Sequence, residues 1–184
     1  MKILTFDVGV KNLAYCYLEH QEKTTIVGWN NLKVTEKNCN KLNLEELSED
    51  LLSTLYETFD DNFEADVVLI ENQPLLKNGF MKTVSVMIYT FFSMMKLQYG
   101  TIREVQFTSA MNKLKCKKAI HLTSSKVTTY KERKDLSILV AKSYIEEMCP
   151  EKLDWFNSQK KLDDLSDALL FGLYYIEKKE KASV

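Results

Sequence analysis

Residues 2–8, KILTFDV, carry β-branched and aromatic side chains in weak alternation, which predicts a strand. Segments 13–19 (LAYCYLE) and 24–29 (TTIVGW) repeat the pattern, and Gly9, Gly28, Lys11 with Asn12, and Gln21 with Glu22 supply breaks. Three such strands in series predict an antiparallel meander. After a polar loop at 30–43, Leu44, Leu47, Leu51, Leu52, Leu55 and Phe59 fall on one helical stripe, and Glu45, Glu46 and Glu49 suit the helix start. Residues 65–71, ADVVLIE, form a short continuous apolar run, as in a parallel strand covered on both faces. Pro74 ends it, and 81–98 predicts a long helix that is apolar around most of its circumference and so needs more than one covering surface. A strand at 103–107 and helices at 134–148 and 163–178 complete the series.

The order β-β-β-α-β-α-β-α-α predicts an α/β fold: a mixed sheet with a three-strand meander and helices on both faces. The 184 residues, 45% hydrophobic and 28% charged, fit one domain spanning 1–184, with no internal repeat or low-complexity linker. Cys16, Cys39, Cys116 and Cys149 form no CxxC pair and have no ligand-spaced histidine, so neither a zinc site nor a disulfide framework is expected. The first apolar run is too short for a signal peptide, and no stretch is long enough for a membrane span, so the expectation is an intracellular protein in a reducing compartment.

Charge is unevenly distributed. From residue 103 to residue 134 nine Lys or Arg stand against Glu104 and Glu132, a local balance of +7 in a chain of net charge −1. That stretch is a candidate for anion contact, although basic runs are as often solvated faces.

Acids end two apolar strands and begin a helix: Asp7, Glu71, and Asp164 with Asp167. A carboxylate that closes a buried strand needs a partner for its charge. Asp164 and Asp167, three apart, share a helix face, and like charges held together call for a counter-ion. Helix capping is the alternative account of that pair, and a polar strand end before a turn is the alternative for Glu71. Hard divalent cations suit all-oxygen donors, and two of them can activate water and stabilise a leaving oxygen in phosphodiester hydrolysis.

Three motifs in this order, FDVGVKN at 6–12, LIENQP at 69–74 and DDLSDALL at 163–170, resemble those of the RuvC-like Holliday junction resolvases of the RNase H-like superfamily. The similarity is greatest to the branch found in poxviruses and other large DNA viruses, with fungal mitochondrial resolvases next. The resemblance implies an RNase H-like fold and an endonuclease that resolves four-way and other branched DNA by paired nicking, giving 5′-phosphates, in viral DNA recombination or concatemer processing. It implies two Mg²⁺ ions, replaceable by Mn²⁺, held by Asp7, Glu71, Asp164 and Asp167, with Asp7 bridging the pair. A catalytic lysine is also implied, and within YKERKD at 130–135 it is assigned to Lys134, at the predicted helix start, to offset charge on the scissile phosphate. Lys131 and Arg133 then contact phosphate, and Lys113, Lys115, Lys117, Lys118 and Lys126 follow the backbone of a junction arm, with Lys11 a further contact. Residues 111–129 do not align with the family pattern.

A junction presents two symmetric strands, so a homodimer is implied, and helix 81–98, with Met81, Met87, Tyr89, Phe91, Phe92, Met94 and Met95, is the candidate interface. Core packing is the competing account of that stripe. For a viral protein the host cytoplasm is the expected compartment. The rival functions are a nuclease acting on RNA/DNA hybrids and a dimeric DNA-binding module without catalysis. An actin-like ATPase also opens on a strand and an Asp-x-Gly turn, but five unclustered glycines leave no second phosphate loop.

Overall fold

A computed structural model describes residues 1–37, 43–74, 79–122 and 129–182. In chain order these form β1 (Lys2–Asp7), β2 (Asn12–His20), β3 (Thr24–Lys33), α1 (Leu44–Thr58), β4 (Ala65–Glu71), α2 (Gly79–Tyr99), β5 (Ile102–Thr108), a 3₁₀ segment (Ala110–Lys115), α3 (Lys117–Leu122), α4 (Tyr130–Met148), a 3₁₀ turn (Pro150–Lys152), α5 (Leu153–Ser158) and α6 (Leu162–Ala182). The sheet runs β3-β2-β1-β4-β5. β1–β2 and β2–β3 pair antiparallel, as the meander requires, whereas β1–β4 and β4–β5 pair parallel. The mixed sheet and the order of the principal elements agree with the sequence analysis.

Strand alternation sorts β1 and β4 between two cores. Leu4 and Phe6 of β1, with Val68 and Ile70 of β4, pack under Leu47, Leu51 and Leu55 of α1 and Val84, Ile88 and Phe92 of α2. Ile3, Val67 and Leu69 face the other way, against Val140 and Ile145 of α4, Phe156 of α5 and Leu169 and Leu173 of α6. The same alternation assigns Asp7 and Glu71 to the α6 side. Phe6 pairs with Ile70, so the two acids end adjacent parallel strands at the same level.

α6 lies close on that face. The Thr5 hydroxyl donates to the Ala168 carbonyl at 2.6 Å and Trp29 Nε1 donates to the Leu165 carbonyl at 3.1 Å, two polar ties that set the helix's rotation over the sheet. A Cβ at Gly172 would come within 2.5 Å of Leu18 Cδ1 and 3.3 Å of Thr5 Cγ2, so any larger residue there would require the Leu18 side chain to shift. Fixed in this way, the helix turns Asp167 toward the ends of β1 and β4.

Several boundaries differ from the periodicity reading. α4 begins at Tyr130, not at 134, because Thr129 caps it: the Glu132 N–H donates to Thr129 Oγ1 at 3.2 Å and the Thr129 N–H donates to Glu132 Oε2 at 3.0 Å. Lys134 therefore lies in the second turn. The 3₁₀ segment, α3 and α5 have no counterpart in the periodicity, since runs of six residues are too short to show a helical period. Cys39 and Lys126 lie outside the described residues. No described helix is long and apolar enough to cross a membrane.

Candidate active site

The ends of β1 and β4, the first turns of α6, the 3₁₀ segment and the start of α4 surround a cleft of about 790 Å³ that contains Asp7, Glu71, Asp164 and Asp167. The hairpin from β1 into β2 closes tightly beside Asp7. A Cβ on Gly9 would collide with the Asn12 carbonyl oxygen, so the turn requires glycine there. Gln73, just past β4, donates from Nε2 to Glu71 Oε2 at 2.5 Å and holds that carboxylate in place.

Lys113, from the 3₁₀ segment, reaches into the acids. Its ammonium forms an ion pair with Asp167, and the two side chains are only 20% and 12% exposed. Burial would lower its pKa, but the charges of Asp167 and Asp7 outweigh that and hold it raised. One ammonium does not neutralise the cluster. Burial, then the charges of Glu71 and Asp167, push Asp7 well above the usual carboxylate range. Burial also raises Asp167, against the opposing pull of Lys113. Asp164 is raised by burial and by its neighbour Asp163.

Lys134 takes a different partner. It forms an ion pair with Asp163, stands 4.9 Å from the centroid of the Tyr130 ring, and has a raised pKa from the Asp163 hydrogen bond. Burial alone would raise Asp163, but the bond and charge of Lys134 hold it below its ordinary value. Lys134 and Asp163 thus line the cleft as a neutralised pair, while Lys113 is bonded to Asp167. From the sequence, Lys113 is expected only as a phosphate contact. Its signal was topological: β5 is parallel to β4 with Glu71 opposite Thr108, so the chain emerging from β5 starts beside Glu71.

The remaining basic residues divide. Lys115 and Arg133 line the cleft, and Lys131 is exposed in the same turn of α4 as Arg133. Lys117 pairs with Glu180 at 3.4 Å, and Lys118 pairs with Glu147 at 2.7 Å and donates to the Ser143 carbonyl at 2.5 Å, so these two are engaged with α6 and α4. Lys11 lies in the β1–β2 turn, where its carbonyl accepts from the Val34 N–H at 2.8 Å.

Among the described residues no three His, Cys, Asp or Glu side chains are arranged to hold a metal ion as they stand. The chemistry of the site nevertheless fits hard cations. Every candidate donor is a carboxylate oxygen, and among the described residues the acids outnumber the one ammonium paired with Asp167, whose Oδ1 is buried with no hydrogen-bond partner.

The family model described as poxvirus A22 protein matches residues 1–179. An uncharacterised protein of Acanthamoeba polyphaga mimivirus is 34% identical over 119 residues, which are 60% of this chain and 28% of that relative; the chain thus matches less than a third of the relative's length. Among solved structures, the fowlpox virus resolvase in complex with substrate Holliday junction DNA superposes with a TM-score of 0.66 at 23% identity, covering 97% of this chain and 98% of that one. The yeast mitochondrial Holliday junction resolvase Ydc2 gives 0.61 at 22% identity, covering 94% and 78%. Thermus thermophilus RuvC gives 0.60 at 13% identity, covering 97% of each. At these identities the structural likenesses establish the fold. Together with the family match along nearly the whole sequence, they show that this chain belongs to the poxvirus A22 protein family and carries the RuvC-like form of the RNase H-like fold.

Proposed function

We propose that the chain is a metal-dependent endonuclease that resolves four-way and other branched DNA by paired nicking, leaving 5′-phosphates, in viral DNA recombination or concatemer processing in the host cytoplasm. The observation that carries this reading is the gathering of Asp7, Glu71, Asp167 and Lys113 in one cleft at the ends of two parallel strands, in a fold shared with junction resolvases. Asp7, Glu71, Asp164 and Asp167 would hold Mg²⁺, with Mn²⁺ as a substitute. When bound, such ions supply an activated water and charge stabilisation at the leaving oxygen.

The protein groups prepare that chemistry. Gln73 orients Glu71, and the Gly9 turn keeps the backbone beside Asp7 tight. The ammonium of Lys113 takes the role that the sequence analysis gave to Lys134: it offsets the negative charge that builds on the scissile phosphate. Lys134 is a positioning residue that holds Asp163, and through it the first turn of α6, against α4. Lys115, Lys131 and Arg133 meet the DNA backbone without reading bases, as shape recognition requires.

The homodimer reading is supported by an apolar groove between α1 and α2, which includes Leu52, Tyr56, Val86, Met87, Phe91 and Met94. Phe92 and Met95 from the same stripe are spent on the core, whereas Met94 is 60% exposed.

Labelled four-way junction, linear duplex and RNA/DNA hybrid of matched sequence, incubated with Mg²⁺, Mn²⁺ or EDTA, test the assignment. Symmetric nicking of the junction, ended by EDTA and by Asp7→Asn, is the expected result. Cleavage of the hybrid alone would establish the hybrid nuclease instead, and metal-independent binding without cleavage would establish the binding module.

A further inference from the structure

The cleft presents two large apolar side chains that the chemistry above leaves unused. Among the described residues only Leu97 is a more exposed large apolar side chain than Met111, at 73%, and Tyr130, at 68%, and both line the same cleft as the acids. They come from separate elements, Met111 from the 3₁₀ segment and Tyr130 from the first position of α4. The capping box at Thr129 and Glu132 fixes that helix start, so the backbone presents the ring to solvent without help from core packing. One turn further, Lys134 stands against the ring and bonds Asp163, the residue before Asp164 at the start of α6, so the aromatic face and the acids share one cleft.

We propose that Tyr130, with Met111 as a second apolar wall, stacks on a nucleobase left unpaired at the branch point of the DNA, beside the phosphate that the acids receive. The proposal rests on the nuclease reading and names what that site recognises. A base hangs one sugar away from its phosphate, so a strand placed over the acids carries a base to the rim of the cleft. Stacking is interrupted at a branch point, which leaves a π-face available at little cost, and base–aromatic stacking tolerates any sequence. A paired arm offers sugar and phosphate at that distance, groups that match Lys115 and Arg133 and not a tyrosine ring or a thioether.

The test uses a four-way junction with 2-aminopurine at the branch point, whose emission falls when the base stacks, and a matched linear duplex, both with Ca²⁺ to keep the DNA uncut. Wild type and Tyr130→Phe should quench the junction probe. Tyr130→Ala should lose the quench and weaken junction binding by about 5- to 150-fold, the range that a stacked base implies, with linear-duplex affinity unchanged. Met111→Ala should lose part of the quench. Unaltered quenching by Tyr130→Ala, or equal weakening toward junction and linear duplex, would overturn the stacking role while leaving the nuclease reading intact. Failure of the wild type to bind the junction would overturn both.

Discussion

Replacing Lys113 with methionine removes the cation that pairs with Asp167 and keeps most of the side chain's volume. Both partners are largely buried, so the weak contribution of an exposed ion pair does not apply. Deleting one member of a buried pair costs about 3–5 kcal/mol, because the other charge is left uncompensated. Here the acids can relieve part of that cost by taking up a proton, which their raised pKa values already favour. The expected loss therefore falls near the lower end, about 3 kcal/mol. In a chain of 184 residues that lowers Tm by about 6–12 °C. Thermal unfolding of wild type and Lys113→Met by circular dichroism in EDTA at pH 7.5 measures it, and Mg²⁺ should restore much of the difference by supplying a replacement cation. Adding Asp167→Asn separates pairing from packing: the double variant should lose less than the two single losses combined, with a coupling of about 1–3 kcal/mol. A Tm change below about 2 °C, or additive losses, would show that Lys113 does not compensate the buried acids.

Asp7 has a folded pKa above its unfolded value, so its contribution to metal-free stability is fully present below about pH 4 and is lost as pH rises through the raised pKa; urea unfolding in EDTA from pH 4 to pH 8 should show this decline, and Asp7→Asn should flatten it. Gly9→Ala forces the β1–β2 turn away from the Asn12 carbonyl and should cost about 1–3 kcal/mol in urea unfolding while abolishing junction nicking, because Asp7 moves with the turn; full nicking activity would refute the link between turn and acid. Met94→Glu places a charge in the α1–α2 groove at an already exposed position and should convert a dimer to a monomer in light scattering without lowering monomer stability, whereas an unchanged mass would remove that face as the interface.

The site was legible in the sequence to the extent that local pattern carries long-range meaning. Asp7 and Glu71 could be found because each interrupts an apolar strand, where a charge has a cost that demands a reason. Asp164 and Asp167 could be found because a three-residue spacing is a statement about one helix face. Which lysine meets these acids could not be read in this way. Lys113 and Lys134 are both basic residues in a basic stretch, and what distinguishes them is the partner each meets, Asp167 for one and Asp163 for the other, 54 and 29 residues away along the chain.

The identity of the strands and of the long helices, the meander, and the two-sided burial of β4 were determined by the sequence alone, because they depend on side-chain periods of two and 3.6 residues that a window of that length contains. The capping box Thr129-x-x-Glu132 belonged to the same class of signal and marked the start of α4 four residues earlier than periodicity did. Only the tertiary structure decided the rest. The parallel pairing of β1 with β4 brought two strand ends level, the Thr5 and Trp29 hydrogen bonds set the rotation of α6, and the chain leaving β5 carried Lys113 to the acids. Each of these is a contact between segments far apart in sequence, whose register and orientation come from the packing of two cores against one sheet and not from any neighbouring residue.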